Sequence, residues 1–377
     1  MLLWLYAYRS LLARIRANAV TMLSVSIFIA GATIGLSYYL SLRSVVVSVP
    51  DENIVVVSKS AVTEGDSKLA LESARKVVLL DGVKKLDNTP VAARELVSRV
   101  FVASQTVGQY EPPSRLRGID DRSVLIHHVK IVEGAPPKPN SLELLIGRRV
   151  AQHYPHVKIG YEFPMPGGPS RVAGIFTADG GAFEDEIWTP RAALEIHLNQ
   201  KRTSSVTLVA ENAGRVGEII DKINGSKELD ARAASVAEFR ANLLGLASVA
   251  RTVLLLLVML SVVAIFTIAT TMSSAVATRV PELAALVAIG VRRRSLGWTI
   301  FLESALLGLV GAIVGVIASA IVISQLGYIP IGSNPIDIVN SPIALTIGLA
   351  LGLLAGIVGG SAPAFRVRRL NVLTALR

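Results

Sequence analysis

The sequence contains no cysteine, and only 18% of its residues are charged. Without cysteine no disulfide can form, so any folded domain must be held together by its own core. The scarcity of charge accompanies a hydrophobic share of 51% and a mean hydropathy of +0.54. This balance is wrong for a soluble protein, and we therefore expect membrane-spanning segments.

The sequence also lacks the motifs of nucleotide binding and of catalysis. No G-x-x-x-x-G-K-[ST] segment occurs, and no glycine is followed by lysine, so the chain has no P-loop for nucleotide phosphates. The histidines, which include His127 and His128, have no acidic or cysteine partners at metal-ligand spacing. No Ser-His-Asp set is indicated. We therefore predict a chain that is not an enzyme and has no cofactor or metal of its own.

Four charge-poor segments are long enough to span a membrane, because about 20 apolar residues cross a hydrocarbon core of about 30 Å. The first, 19–42, carries no charge. It is too long and too late for a cleaved signal peptide, and we predict an uncleaved anchor. The others are 252–278, 298–325 with its single charge Glu303, and 342–365. The segments predict one span, a large inserted region, and then three spans.

The positions of the arginines predict the orientation, because short loops rich in Lys and Arg remain in the cytoplasm. Arginines cluster before the first span, at 279–294 and after the fourth span, whereas 326–341 has none. The net charge of +10 thus reflects topology and anionic lipid, and it gives no support to nucleic-acid binding. We expect a multi-pass protein of the bacterial inner membrane with both termini in the cytoplasm.

The predicted order is a cytoplasmic segment (1–18), span 1 (19–42), a periplasmic domain with a helical stalk (43–250), span 2 (252–278), a cytoplasmic loop (279–294), span 3 (298–325), a short periplasmic loop (326–341), span 4 (342–365) and a cytoplasmic tail (366–377).

The inserted region mixes helix and strand patterns. Short runs rich in β-branched residues predict strands at 53–57, 123–126, 171–175 and 204–209. Helical periodicity occurs at 69–80 and 213–223. The stretch 134–181 is rich in proline and glycine, which indicates turns between strands. The predicted fold class is a four-helix transmembrane protein, one plus three spans, with a large α+β extracytoplasmic domain of two lobes between spans 1 and 2.

The segment before the second span indicates a helical stalk. Ser235 and Glu238 match a capping box, in which both side chains satisfy free amides at a helix start. No proline and only one glycine, Gly245, occur from 236 to 278, so we expect one continuous helix of about 65 Å at 1.5 Å per residue. The alternative is a break near Gly245 with an ordinary linker. The first span is likewise expected to continue beyond Arg43.

The loop between the second and third spans predicts a short amphipathic helix over 281–290. Pro281 suits the first helical turn, and Gly290 suits the end. Glu282 complements the positive start of the helix, and the arginines at 292–294 its negative end. Such a short helix is marginal alone, so its apolar side must rest on lipid, on the helix bundle or on a partner, unless it is a mere connector. The apolar stripe consists of Leu283, Leu286, Val287 and Ile289.

Glycines at a spacing of four residues predict close packing of the spans, since small residues let helix backbones approach within lipid. Glu303 lies inside the third span, where a charge costs about 3 kcal/mol on insertion scales. We expect it to face the bundle or to reach toward Arg293 or Arg294. The glycines are Gly31 and Gly35 in span 1, Gly311 and Gly315 in span 3, and Gly348, Gly352, Gly356 and Gly360 in span 4.

Two motifs at the correct separation resemble the FtsX-like, MacB-type permease family of ABC transporters, the type VII permeases. The loop follows the family pattern R-x-x-E-x-x-x-L-x-A-L-G-x-x-R-R with a later Glu, through Arg279, Glu282, Leu286, Ala288, Ile289, Gly290, Arg293, Arg294 and Glu303. The tail follows P-A and A-x-R-L-D-P-x-x-A-L-R through Pro363, Ala364, Arg369, Leu370, Asn371, Ala375, Leu376 and Arg377. The inserted region resembles the family's MacB-like periplasmic core at 117–120, 133–134, 147–150, 172–176 and 186–188. The chain departs from the family at Val287, where a basic residue is common, and at Val372, where proline is common.

The resemblance implies that the short cytoplasmic helix is a coupling helix that seats on an ATPase subunit. Carried over to this chain, the ATPase-coupling surface consists of Arg279, Glu282, Leu283, Leu286, Val287, Gly290 and Arg293. It also implies two copies of an ABC ATPase, which would hold ATP and Mg, and a second permease chain in a homodimer or heterodimer. Membrane lipids and a periplasmic membrane-fusion or adaptor protein complete the implied partners.

Three functions remain open from the sequence. Four helices with few polar residues do not suggest a wide aqueous path, so mechanical transmission of ATP hydrolysis is favoured over passage of solute. The same motion could instead activate a periplasmic enzyme or adaptor without transport. A receptor or scaffold is the third function, and the coupling and tail motifs argue against it.

Overall fold

A computed structural model describes residues 15–47, 50–100, 114–139, 141–163, 165, 168–199, 202–331 and 334–369. The chain divides into two compact units. The helical unit comprises the described residues up to Ser41, together with 248–327 and 337–369, and the inserted domain comprises 42–247 and 328–336. The tail residues Leu370, Asn371, Ala375, Leu376 and Arg377 lie outside the described part of the chain.

The secondary structure follows the predicted order of one span, a mixed domain and three spans. The helices are α1 (Ile15–Val47), α2 (Leu71–Val78), α3 (Ser123–Ile126), α4 (Arg148–His153), α5 (Arg191–His197), α6 (Val216–Gly225), α7 (Val236–Leu243), α8 (Leu246–Thr278), α9 (Val280–Ala288), α10 (Arg293–Leu326) and α11 (Pro342–Arg368). The strands are β1 (Asn53–Ser58), β2 (Lys85–Leu86), β3 (Thr89–Pro90), β4 (Ala92–Val100), β5 (Ser114–Ile119), β6 (Lys130–Gly134), β7 (Leu144–Gly147), β8 (Glu162–Phe163), β9 (Ser170–Thr177), β10 (Glu186–Pro190), β11 (Ser205–Val209), β12 (Ala231–Ser235), β13 (Tyr328–Ile331) and β14 (Asn334–Asp337).

Helices α1, α8, α10 and α11 are long and apolar enough to cross a membrane. The apolar part of α1 extends from Ala19 to Val47, so the first span continues beyond Arg43 as expected. Their shared core is apolar and includes Ile29 of α1, Ile268 of α8, Leu307 of α10 and Ala355 of α11. The outward side chains are also apolar, which is the pattern of helices surrounded by lipid.

The predicted continuous helix over 236–278 is wrong, because α7 ends at Leu243 and α8 begins at Leu246. Gly245 lies between them with a φ of +59°, a left-handed conformation that ends a helix and that glycine adopts without steric cost. The predicted helix start is confirmed: the hydroxyl of Ser235 accepts a hydrogen bond from the amide of Glu238 at 3.1 Å.

The inserted domain is built on one ten-stranded mixed sheet with the order β12-β1-β11-β4-β5-β10-β7-β9-β6, in which β8 also pairs with β9. The β5–β10 and β7–β9 pairs are parallel. Strand β1 is buried on both faces, which explains its continuous β-branched sequence. Ile54 and Val56 point into a core with α2 and α6, while Val55 and Val57 pack against α7.

Strand β4 joins the two halves of this sheet. Its first residues pair with β11, and its last residues pair with β5. Accordingly Ala92 packs against the first core, and Leu96 and Val100 belong to a second core around β7 and β10. The two predicted lobes are therefore two cores under one continuous sheet.

Most of the predicted elements in the inserted domain are confirmed. The runs 53–57, 171–175 and 204–209 coincide with β1, β9 and β11, and the helical segments with α2 and α6. The strand predicted at 123–126 is wrong, because these residues form the one-turn helix α3. The Asp120 amide donates to the Ser123 hydroxyl at 3.1 Å, so a turn closes here before an extended strand can form. The stretch 134–181 contains the unexpected helix α4.

Glycines allow all four spans to meet at backbone distance, since a Cβ added at Gly359 of α11 would lie 2.8 Å from the Ile265 carbonyl oxygen of α8. A Cβ added at Gly308 of α10 would lie 2.4 Å from the Gly352 carbonyl oxygen of α11, and one at Gly315 would lie 2.5 Å from the Ser26 carbonyl oxygen of α1. The added Cβ would also meet atoms under 3.0 Å away at Gly311, Gly348, Gly352, Gly356 and Gly360. At Gly31 the nearest atom lies at an ordinary 3.5 Å, and at Gly35 an added Cβ meets nothing within 4 Å. Gly308 was not among the glycines expected from the spacing.

Gly308→Ala is expected to destabilise the protein by about 1–3 kcal/mol, because the added methyl group overpacks the α10–α11 contact. The matched control is Gly35→Ala, where the methyl group has space and alanine favours the helix. Thermal unfolding of the purified chain in detergent measures the difference. Equal melting temperatures for the two variants would show that the close approach at Gly308 does not limit packing.

Candidate functional site

The short helix between the second and third spans forms the candidate site. Helix α9 has Pro281 in its first turn, and the Leu283 amide donates to the Arg279 carbonyl at 2.9 Å. It ends where the Gly290 amide donates to the Val287 carbonyl at 3.0 Å, with Gly290 at a φ of +101°. The local sequence therefore positions both ends of this helix.

One face of α9 rests on the helical unit itself. Leu283 is 7% exposed, and Ala284 is fully buried. Leu286 and Val287 are half-buried against the same cluster. The cluster also contains Leu296 and Ile300 of α10 and Ala364 and Val367 of α11. The neighbouring helices, and not lipid or a partner, therefore cover most of the apolar stripe.

The opposite face of α9 is open. Glu282, Ala285, Ala288 and Ile289 are exposed, and Ile289 is 78% exposed. Positions 282, 285 and 289 follow the helical spacing that places side chains on one surface. Ala285 was missed from the sequence because a small residue carries no chemical signal. The exposed surface therefore shares only Ile289 with the predicted apolar stripe.

The residues carried over from the family divide between these two faces. Glu282, Gly290 and Arg293 are exposed to solvent, and Leu283 is buried. Leu286 and Val287 are half-buried. Arg279 sits where α8 meets α9, and its side chain is 12% exposed.

Arg279 forms an ion pair with the intramembrane acid. Its Nη1 lies 3.2 Å from Oε2 of Glu303, whose side chain is 4% exposed. Glu303 therefore faces the bundle, which is the first of the two expectations, and its ion pair is with Arg279 rather than with Arg293 or Arg294. Arg293 lies about 15 Å further along the same helix at 1.5 Å per residue and is exposed. The pair ties the start of α9 to the third span.

A double-mutant cycle tests this ion pair. Arg279→Met or Glu303→Leu alone leaves the other charge buried and is expected to cost about 3–5 kcal/mol in unfolding free energy. The double variant removes both charges, so it should cost less than the sum of the single variants by at least about 1 kcal/mol. Denaturant unfolding in detergent provides the four free energies. Strict additivity would mean that the two side chains do not interact.

A second set of charged residues lies inside the inserted domain, centred on Arg117 of β5. Its Nε donates to Glu186 at 2.6 Å, its Nη1 to Glu95 at 2.5 Å and its Nη2 to Glu64 at 2.9 Å. His127 contacts the other oxygen of Glu95 at 2.7 Å. We name Arg117, Glu64, Glu95, Glu186 and His127 the Arg117 cluster.

The Arg117 cluster stabilises the ionised forms of Glu64 and Glu95 despite their burial. Burial by itself raises the pKa of Glu64, but the guanidinium groups of Arg117 and Arg115 hold that pKa far below its ordinary 4.5. The pKa of Glu95 is also lowered, because His127 and Arg117 outweigh the effect of burial. Each of these carboxylates is thus stabilised in its charged form by the fold.

Glu64→Gln is expected to lower the unfolding free energy at about pH 7 by about 1.5–3 kcal/mol, the range for a hydrogen bond to a charged group. The pKa of Glu64 is lower in the folded state than its ordinary value of 4.5. The contribution of the carboxylate to the unfolding free energy is therefore complete when the pH is above that ordinary value, and it is lost as the pH falls through the folded-state pKa. The difference in unfolding free energy between the wild type and Glu64→Gln should therefore become smaller below about pH 4.5. Unfolding of the full chain from about pH 7 to about pH 3 measures it. A gap that is constant or widens in acid contradicts the assignment.

Other residues that carried the family resemblance have structural partners in the same domain. Asp120 accepts from Arg191 Nε at 2.7 Å, and Arg149 Nε donates to Asp185 at 2.9 Å. The Trp188 indole donates to Glu186 at 3.0 Å. Among the residues that the structure describes, no group of three or more His, Asp or Glu side chains is arranged so that it could hold a metal ion. Asp120 and Arg149, two charged residues of these motifs, therefore form internal ion pairs of the domain.

Two family models match the chain, one over the first span and most of the inserted domain and one over the last three spans. The family model of the MacB-like periplasmic core domain matches residues 18–225, and that of the FtsX-like permease C-terminal matches residues 254–372. Among solved structures, the periplasmic region of MacB from Actinobacillus actinomycetemcomitans is similar, with 9% identity over 52% of this chain and 95% of that one, at a TM-score of 0.38. The extracellular domain of the noncanonic ABC-type transporter YknZ from Gram-positive bacteria shows 16% identity over 48% of this chain and 100% of that one, at a TM-score of 0.35. No curated protein sequence matches the chain.

Proposed function

The chain belongs to the FtsX-like permease family with a MacB-like periplasmic core domain, and from this premise we propose that it couples ATP hydrolysis by a separate ABC ATPase to conformational change of the inserted domain. The ATPase subunits would hold the ATP and Mg, since this sequence has no P-loop.

The observation that carries the proposal is the two-sided geometry of α9. Leu283 fixes one face to the helical unit, while Glu282, Ala285 and Ile289 leave the other face open. An anchored helix with an exposed face can receive a force and pass it to the spans on which it rests. A mere connector has no need of an anchored inner face or of an ion pair at its start.

The position of the arginines supports a cytoplasmic location for α9, the side on which an ATPase acts. Arg292, Arg293 and Arg294 directly follow α9 and are exposed, and such short basic loops remain in the cytoplasm. Both termini are then cytoplasmic, the membrane is the bacterial inner membrane, and the inserted domain is periplasmic. ABC ATPases act as a pair, so we also propose a two-fold pair of permease chains.

The packing of the spans favours mechanical transmission over passage of a solute. Their core is filled by apolar side chains, and α10 contacts both α1 and α11 at backbone distance through glycines. Close packing of this kind transmits displacement, because packed interiors resist compression. The proposed output is motion of the inserted domain, which exports a substrate or acts on a periplasmic partner.

Ile289→Ser tests the exposed face of α9. Loss of a hot-spot side chain at an interface costs about 2 kcal/mol or more, so binding of the ATPase that co-purifies with the wild-type chain should weaken at least about tenfold. Glu282→Lys should have a similar effect through charge. Quantitative co-purification and coupled ATPase activity in nanodiscs are the measurements.

The matched control is Ile196→Ser, which removes an isoleucine of the same exposure, 79% against 78%, from the inserted domain. It should leave ATPase binding unchanged. Leu283→Ala should instead lower the melting temperature, because Leu283 packs within the helical unit. Full ATPase binding by both Ile289→Ser and Glu282→Lys, or the absence of any co-purifying ATPase, would contradict the proposed coupling.

A further inference from the structure

Two neighbouring cavities of the inserted domain meet at Arg240 of α7. One has a volume of about 50 Å³ and the other about 300 Å³. Arg240, Phe183 and His127 line both cavities. The larger volume is at the lower end of the range for small-molecule sites.

Arg240 differs from the neighbouring Arg115 and Arg117, because among the described residues it forms no ion pair with a carboxylate. Its guanidinium carbon lies 4.4 Å from the centre of the Phe183 ring. Its Nη1 is shielded from solvent and has no hydrogen-bond partner among the described residues. Arg117, by contrast, donates to three carboxylates, and Arg115 pairs with Glu186 at 3.3 Å. A shielded donor on a permanent cation is costly to leave without an acceptor.

The electrostatic surroundings do not compensate this charge. Burial is the main reason that the pKa of Arg240 is lowered to about 10. The negative charges of Glu186 and Glu64 raise this pKa, but the positive charges of Arg117 and Arg115 lower it at the same time. Of the carboxylates that line the smaller cavity, Glu64 and Glu186 are already bound to those two arginines, and Asp185 is bound to Arg149. The Arg240 guanidinium is therefore positioned for an additional anionic acceptor.

The walls of the smaller cavity indicate what kind of anion would fit. Most of its surface is apolar, so the ligand needs an apolar body as well as a charge. Glu64, Asp185 and Glu186 line the same space, and their negative charge disfavours a multiply charged anion such as phosphate. The apolar walls consist of Val45, Val55, Val236, Phe239, Leu243 and Leu244.

We propose that the inserted domain binds an amphipathic carboxylate at this site, with its anionic group on Arg240 Nη1 and its apolar body against α7 and the end of α1. A carboxylate accepts strong charge-assisted hydrogen bonds from a guanidinium, and an acyl chain replaces water along the apolar wall. None of the residues of this site belongs to α9, so the proposed binding of a carboxylate can be tested separately from the proposed coupling to an ATPase.

The test uses the full chain in nanodiscs, with empty nanodiscs as reference, and hexanoate as the probe. Saturation-transfer NMR or calorimetric titration should detect saturable binding of hexanoate. Hexanol lacks the charge and acetate lacks the chain, so each should bind at least about tenfold more weakly, since a hydrogen bond to a charged group is worth about one decade or more.

Arg240→Met keeps the apolar stem and removes the donors, so it should weaken hexanoate binding at least about tenfold. The matched control is Arg75→Met, which changes an exposed arginine on α2, outside both cavities. Arg240→Met should also leave the melting temperature unchanged or raise it, because it removes an uncompensated charge. Arg240→Lys keeps the charge and should retain weaker binding even if the Met variant fails to fold.

Each other outcome overturns the proposal. Binding of neither hexanoate nor hexanol would mean that no such site exists, and equal binding of hexanol would mean an apolar cavity without anion recognition. Equal binding of acetate would show that the apolar walls contribute nothing. Unchanged hexanoate affinity in Arg240→Met would assign Arg240 a purely structural role. If Arg240→Met loses stability, unchanged hexanoate affinity in Arg240→Lys would lead to the same conclusion.

Discussion

The buried guanidinium of Arg117 is the interaction on which the inserted domain depends. It binds Glu95 of β4, Glu186 of β10 and Glu64 of the segment after β1, so one side chain of β5 holds three other parts of the chain. Strand β4 joins the two cores of the sheet, and Arg117 fixes β4 beside β5 and β10. The ions must remain together, because removing any one leaves a buried charge without full compensation.

The elements that follow from local sequence were predictable. Hydropathy and arginine positions depend only on composition along the chain, so the spans and their order follow from sequence alone. The β-branched runs of β1, β9 and β11 are also local signals. The failures arose where a short-range conformation competed with the pattern. A turn at Asp120 and Ser123 redirected an apolar run into α3, and the left-handed Gly245 interrupted an otherwise uninterrupted helical segment.

The candidate site was predictable as an element but not as a surface. The sequence located α9 through Pro281 and Gly290, yet its apolar stripe could not reveal whether lipid, bundle or partner covers it. That information lies in the contacts of Leu283 with α10 and α11, which are distant in sequence. The partners of Glu303 and Arg117 were hidden for the same reason. Ion pairs between remote residues leave no spacing pattern that a single sequence can show.

The break at Gly245 constrains how the proposed coupling can operate. A single rigid helix over 236–278 cannot carry the motion, because α7 and α8 are separate helices. At the other end of α8, Arg279 joins the end of α8 and the start of α9 to Glu303 of α10. Under the proposed function, a force on the exposed face of α9 would act on α8 and α10 together. Under the proposed function, these helices then act on the inserted domain through the short junction between α7 and α8, where glycine permits a change of direction.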